Sequence, residues 1–223
     1  RSMLEDTLYE HYKMEGTVAG SDEAGKGEAL GPLVIAATVL APRQAAYLQS
    51  IGVADSKIVP ENRIQELARK IKQVSLEHSV LRIDPHRLNR MFKMRKKYGN
   101  LNDILARGHS LVLKKVVSKT VEKPAQIIID KFDSSKSGVR MRIIEKALYG
   151  FRVQAVEKGE VFPVVAAASI LARNSYLAWV RRNLSEEMLK KIKEKDYSAI
   201  GAGERLPYYF KMRYLKETRE FHV

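Results

Sequence analysis

The chain has 223 residues, 45% hydrophobic and 30% charged, which suffices for one substantial core, as a single domain or a domain with an appendage. A formal net charge of +14 favours a polyanionic partner, because each phosphate neutralised releases condensed counterions. The absence of cysteine excludes disulfides, zinc-thiolate sites and thiol catalysis.

In chain order, residues 4–15 read as a helix ended by Gly16. Residues 17–22 read as a strand that delivers Asp22 and Glu23 to its end. Residues 33–40 form a continuous apolar run, as in a strand covered on both faces. A helix is predicted over 60–73, with Pro60 in its first turn, and a strand over 74–83. Leu101, Ile104, Leu105, Gly108, Leu111 and Val112 recur at helical spacing and mark a helix over 100–121. Short strands follow at 126–130 and 151–156, with a helix over 139–149 between them.

Residues 164–180 are apolar nearly all round and rich in alanine, so they predict a buried helix that approaches a sheet closely. Surface helices at 190–195 and 206–217 complete a C-terminal appendage. The order of strands first, then helix–strand alternation, predicts an α/β fold with a mixed central sheet flanked by helices. The expected organisation is a catalytic domain over 1–183, with 1–15 as an extension, and a helical appendage of the same domain over 184–223. The apolar segments 33–41 and 161–172 are too short or too punctuated to span a bilayer, and no cleavable leader pattern is visible. A cytoplasmic monomer without membrane association or small-molecule cofactor is expected.

The chemistry concentrates in GSDEAGKG at 20–27. Adjacent carboxylates repel unless a cation offsets them, and the bare backbone of Gly25-Lys26-Gly27 can approach a phosphate. The segment matches the spacing of a nucleotide-binding loop, but Gly27 replaces the hydroxyl residue that binds magnesium, and two acids inside the loop would repel phosphates. A hydrolytic metal site needs several carboxylates on rigid elements. Asp130 ends a second strand and is a candidate, although its spacing suits a loop or capping aspartate equally well. Asp133 follows three residues later. Residues 85–102 lack acids and carry Arg87, Arg90, Lys93, Arg95, Lys96 and Lys97, which read as a phosphate-contacting segment. His109 reads as a packed or capping histidine, and Tyr176 and Trp179 as core.

With these residues in place, the chain resembles the type 2 ribonucleases H, that is, ribonucleases HII and HIII. The matching blocks are 20–32 (GSDEAGKGEALGP), 54–57 (ADSK), 100–109 (NLNDILARGH), 127–132 (IIIDKF) and 162–173 (FPVVAAASILAR), in family order. The resemblance implies a ribonuclease H-like fold and hydrolysis of the RNA strand of an RNA/DNA hybrid by two Mg2+ or Mn2+ ions, leaving 5′-phosphate and 3′-hydroxyl ends. It puts Asp22, Glu23 and Asp130 on the metal-binding carboxylates, Gly25, Lys26 and Gly27 on the loop that grips the nucleotide, and Lys57 near the nucleic acid. The HII branch has a further aspartate where this chain has Leu177. Glu28, the NLN…GH block and IDKF resemble the HIII branch, in which a fourth carboxylate follows Asp130, with Asp133 the nearest candidate. Two rivals remain at this point: another metal nuclease of the same fold acting on DNA, and a non-catalytic basic nucleic-acid-binding module.

Overall fold

The structure, a computed structural model, describes residues 16–134, 138–194, 196 and 205–217, so the helix expected over 4–15 lies outside the described residues. Its centre is a mixed sheet of five strands in the order β3-β2-β1-β4-β5. Strands β1 (Val18–Ala24) and β2 (Leu33–Leu40) pair antiparallel, and β3 (Glu77–Ile83) continues antiparallel beyond β2. On the other side β4 (Gln126–Asp130) and β5 (Val153–Val156) run parallel to β1. All eight residues of β2 are buried, as a continuous apolar run requires when both faces of a strand are covered.

Helices α1 (Pro42–Ser50) and α2 (Glu61–Val74) follow β2, and the alanine-rich α7 (Pro163–Asn183) packs with them over one face of the sheet. Small side chains bring α7 close: a β-carbon on Gly20 of β1 would stand 2.7 Å from a Val164 methyl. The opposite face is covered by α5 (Leu101–Lys119) and α6 (Val139–Ala147), with α3 (Pro85–Lys93) and the short α4 (Arg95–Tyr98) at its margin. A reciprocal cap starts α5, with Asn100 accepting from the Asp103 N–H and Asp103 from the Asn100 N–H. Helices α8 (Glu186–Lys193), α9 (Leu206–Tyr209) and α10 (Met212–Glu217) form the C-terminal part.

The structure differs from the sequence expectation at several points, among them helices α3 and α4, which the sequence reading does not include. Helix α1 was not read there: its apolar face is only Ala45 and Leu48, too little to set a period. The single helix expected over 206–217 is broken, because Phe210 is extended and bridges Leu30. Among the described residues no helix is long and apolar enough to cross a membrane.

Candidate active site

Strand alternation sorts the acids. Val18, Gly20, Asp22 and Ala24 share the α7 face of β1, while Ala19, Ser21 and Glu23 share the α5 face. In the parallel register Gly20 lies beside Ile128 and Ser21 beside Ile129, so Asp22 and Asp130 follow side by side on the α7 face. All three carboxylates meet at one sheet edge and line a single cavity of about 840 Å³, together with Gly25-Lys26-Gly27 and Lys57.

Asp22 is 8% exposed. Burial, followed by the charges of Glu23 and Asp130, pushes its carboxyl well above the usual carboxylate range. The N–H of Glu23, which donates to Asp22 Oδ1 at 2.7 Å, and the Lys57 ammonium oppose that shift. Asp130 is raised to about 6, by burial first and then by Glu160 and Glu23, against the Gly159 N–H donating to its Oδ1 at 2.8 Å and against Lys57. Burial lowers the Lys57 ammonium, but the carboxylates of Asp55, Asp22, Glu160 and Asp130 outweigh it and the net shift is upward. The loop carrying Lys57 is tied to α7, where Ser169 Oγ donates to Ser56 Oγ at 2.6 Å and accepts from the Ser56 N–H at 3.2 Å.

Glu23 is held differently. Its Oε2 lies 3.1 Å from His109 Nε2, and His109 Nδ1 lies 2.8 Å from Ser21 Oγ. His109 is 0% exposed and stacks on Phe132 with ring centroids 4.9 Å apart. The histidine is therefore packed, as its helix position predicted, and it also orients a carboxylate of the cluster. The sequence hint was its register: one α5 residue must face the odd-numbered side chains of β1. Lys26 reaches the same corner, its Nζ 3.8 Å from Glu23 Oε1 and donating to the Phe132 carbonyl.

The loop glycines have separate reasons. Gly25 has φ +82°, and a β-carbon there would collide with the Pro32 carbonyl, so the fold itself demands glycine. Around Gly27 nothing lies within 4 Å of where a β-carbon would sit, and the residue is exposed. Packing gives no reason for glycine at 27.

Asp133 is not brought to this cavity. Its carboxylate takes Arg140 Nη1 at 3.2 Å and Asn102 Nδ2 at 3.3 Å, and it lines a neighbouring cavity of about 310 Å³. Leu177 does line the main cavity, so an apolar side chain stands where the resemblance marks a carboxylate in the HII branch. Glu160, beside Asp130, was not singled out in the sequence; its place just before the 162–173 block was the available signal. The basic residues of α3 and α4 lie outside the cavity lining, with Arg87, Arg90, Arg95, Lys96 and Lys97 exposed.

The donor set fits a hard divalent cation, since it consists of carboxylate oxygens that raise one another's pKa. Because Glu23 points to the other face from Asp22 and Asp130, the acids form no closed cage: among the described residues no three His, Asp or Glu side chains converge on one ion position.

The sheet order and the covering helices define a ribonuclease H-like α/β fold. A family model described as Ribonuclease HII matches residues 19–205, and the chain belongs to that family. Ribonuclease HIII of Protochlamydia amoebophila is 32% identical over 169 residues, covering 76% of this chain and 53% of that protein. Ribonuclease HII of Thermococcus sibiricus is 30% identical over 208 residues, covering 92% and 84%. Among solved structures, Bst-RNase HIII in complex with Mn2+ superposes with a TM-score of 0.73 at 26% identity, covering 92% of this chain and 69% of that one. The chain thus spans about half the length of curated ribonuclease HIII relatives.

Proposed function

We propose that the chain is a metal-dependent endoribonuclease that hydrolyses the RNA strand of RNA/DNA hybrids, leaving 5′-phosphate and 3′-hydroxyl ends. The observation that carries this reading is the edge-of-sheet cluster of Asp22, Glu23 and Asp130 in one cavity with the Gly25-Lys26-Gly27 loop and Lys57. Asp22 and Asp130 would hold Mg2+ or Mn2+ from the α7 face and Glu23 from the α5 face. Two such ions held by these residues would supply activation of a water and an offset to charge on the leaving oxygen.

The chain's own residues do the rest. Burial first, and then the charges of Glu23 and Asp130, leave the ionised form of Asp22 in need of a cation, which favours metal capture with the substrate phosphate. Lys57 holds positive charge over the same acids and can pair with a neighbouring phosphate. The exposed backbone at Gly27 can approach a ribose closely enough to read its 2′-hydroxyl. Outside the cavity, the exposed arginines and lysines of α3 and α4 would follow the phosphate backbone.

Cleavage of an RNA/DNA hybrid, duplex DNA and a DNA duplex with one embedded ribonucleotide tests the reading, each with Mg2+, with Mn2+ and with chelator. The hybrid should be cut in either metal and left intact in chelator, with 5′-phosphate on the products. Asp22→Asn should lose at least about a thousandfold in rate while still binding hybrid. Cutting of duplex DNA in preference to the hybrid would sink the assignment. Cutting at the single ribonucleotide would indicate HII-like rather than HIII-like selection.

A further inference from the structure

The segment 205–215 crosses the chain immediately after the Gly25-Lys26-Gly27 loop and is bonded to it at successive points. The Tyr214 hydroxyl donates to the Lys26 carbonyl at 2.5 Å, the Lys211 N–H to the Ala29 carbonyl at 2.8 Å, and the Gly31 N–H to the Tyr209 carbonyl at 2.8 Å. Leu30 and Phe210 bridge antiparallel between these bonds. The other edge of the segment is fixed to α3, where Asn89 Nδ2 donates to the carbonyls of Pro207 and Phe210 and Asn89 Oδ1 accepts from the Met212 N–H at 2.9 Å. His86, also on α3, stacks on Tyr208 with centroids 4.5 Å apart.

Lys211 is the unusual member. It is 0% exposed, yet its ammonium is answered by main-chain carbonyls, donating to Glu28 O at 2.6 Å and to Leu30 O at 3.4 Å. Burial lowers its pKa to about 7, with the Glu28 carboxylate opposing. Leu30 O already accepts from the Tyr176 hydroxyl at 2.8 Å. An apolar side chain of the same length would fill this place without desolvating a charge. What lysine adds is a directed bond to the Glu28 carbonyl, one residue past Gly27.

We propose that segment 205–215 is a strap that positions the Gly25-Lys26-Gly27 loop relative to the basic helix α3, with Lys211 as the positioning residue that sets affinity for the hybrid. The proposal rests on the reading of that loop as the substrate-gripping element. The carboxylates lie on β1 and β4, and the strap's hydrogen bonds run to residues 26–31 and to Asn89 instead, so its effect falls on binding and not on the chemical step. An element kept only for stability would act on the melting temperature instead.

Steady-state cleavage of an RNA/DNA hybrid, equilibrium binding of the labelled hybrid and thermal melting, measured on the whole chain, test this. Lys211→Met should raise KM and the hybrid Kd about fivefold or more, the cost of one or two lost hydrogen bonds at the loop, while kcat stays within about twofold. Tyr214→Phe removes a single hydroxyl and should shift KM in the same direction by about two- to threefold; it carries the test should Lys211→Met fail to fold. Unchanged KM and Kd in a folded Lys211→Met or in Tyr214→Phe would overturn the strap, as would a fall confined to kcat. If the wild-type chain binds hybrid but does not cut it, the enzymatic reading fails, and the Kd comparison still decides the strap.

Discussion

The two faces of the sheet hold their acids in opposite ways. On the α7 face Asp22 and Asp130 stand next to each other in parallel register, buried and driven upward in pKa, with Lys57 as the opposing charge. On the α5 face Glu23 has a fixed hydrogen bond from a buried histidine, which is itself fixed by Ser21 and Phe132. One face therefore stores electrostatic repulsion that a cation can relieve, and the other stores orientation.

Short of removing Asp22 itself, the largest expected effect comes from removing the orientation. His109→Ala leaves the charge of the cluster nearly intact but frees Glu23, so activity should fall about 10- to 100-fold, as for other partners that orient metal ligands. The Mg2+ concentration for half-maximal activity, and metal affinity by calorimetry, should weaken in parallel. Full activity with an unchanged metal requirement would erase the distinction between the faces.

Removing the buried charge of Asp130, raised in pKa by burial first and then by Glu160 and Glu23, should do the reverse and stabilise the metal-free protein. An aspartate in the unfolded chain titrates near ~3.9, whereas folded Asp130 holds its proton to about 6. The native state therefore binds the extra proton; the stability this contributes is complete below pH ~4 and is lost as pH rises through about 6. Asp130→Asn keeps that stability at high pH, so at pH 8 in chelator it should melt later than wild type. The gain should be about 1 kcal/mol once the partial exposure of Asp130 is discounted. It should vanish near pH 4, and it should shrink in Mg2+, which binds the wild-type fold. A lower melting temperature at pH 8 would show that the bond from the Gly159 N–H outweighs the repulsion.

The smallest effect is expected at Asp133, an acid already answered by Arg140 and Asn102. Asp133→Asn should change the cleavage rate by less than about threefold and lower stability by about 1 kcal/mol, read by thermal melting. A loss as large as that of Asp22→Asn would return Asp133 to the working acids and make the site three-sided.

Much of this comparison was legible in the sequence. The bounds of β2 and β4 could be read from apolar runs, because a strand covered on both faces leaves no polar position to blur its ends. Period-2 alternation already places Asp22 and Glu23 on opposite faces. What was not legible are partners far apart in the chain: the meeting of His109 with Glu23, the Ser56–Ser169 tether, and the break where Phe210 bridges Leu30. Each depends on how two elements are laid against each other, which local pattern does not encode. Gly27 shows the converse. Its residue type stands out in the sequence, but only the empty space around it separates it from Gly25, whose glycine the backbone requires.

The central position of β1 has a further consequence, for amide hydrogen exchange. With β2 bonded along one edge and β4 along the other, and buried helices over both faces, the amides leading to Asp22 lack any local route to solvent. They should exchange only when the whole domain opens, and the outer strands β3 and β5 should exchange through smaller fluctuations. The strand that carries two of the three acids thus stays closed through the local openings of its neighbours, and the sheet can breathe at its margins without moving the carboxylates apart.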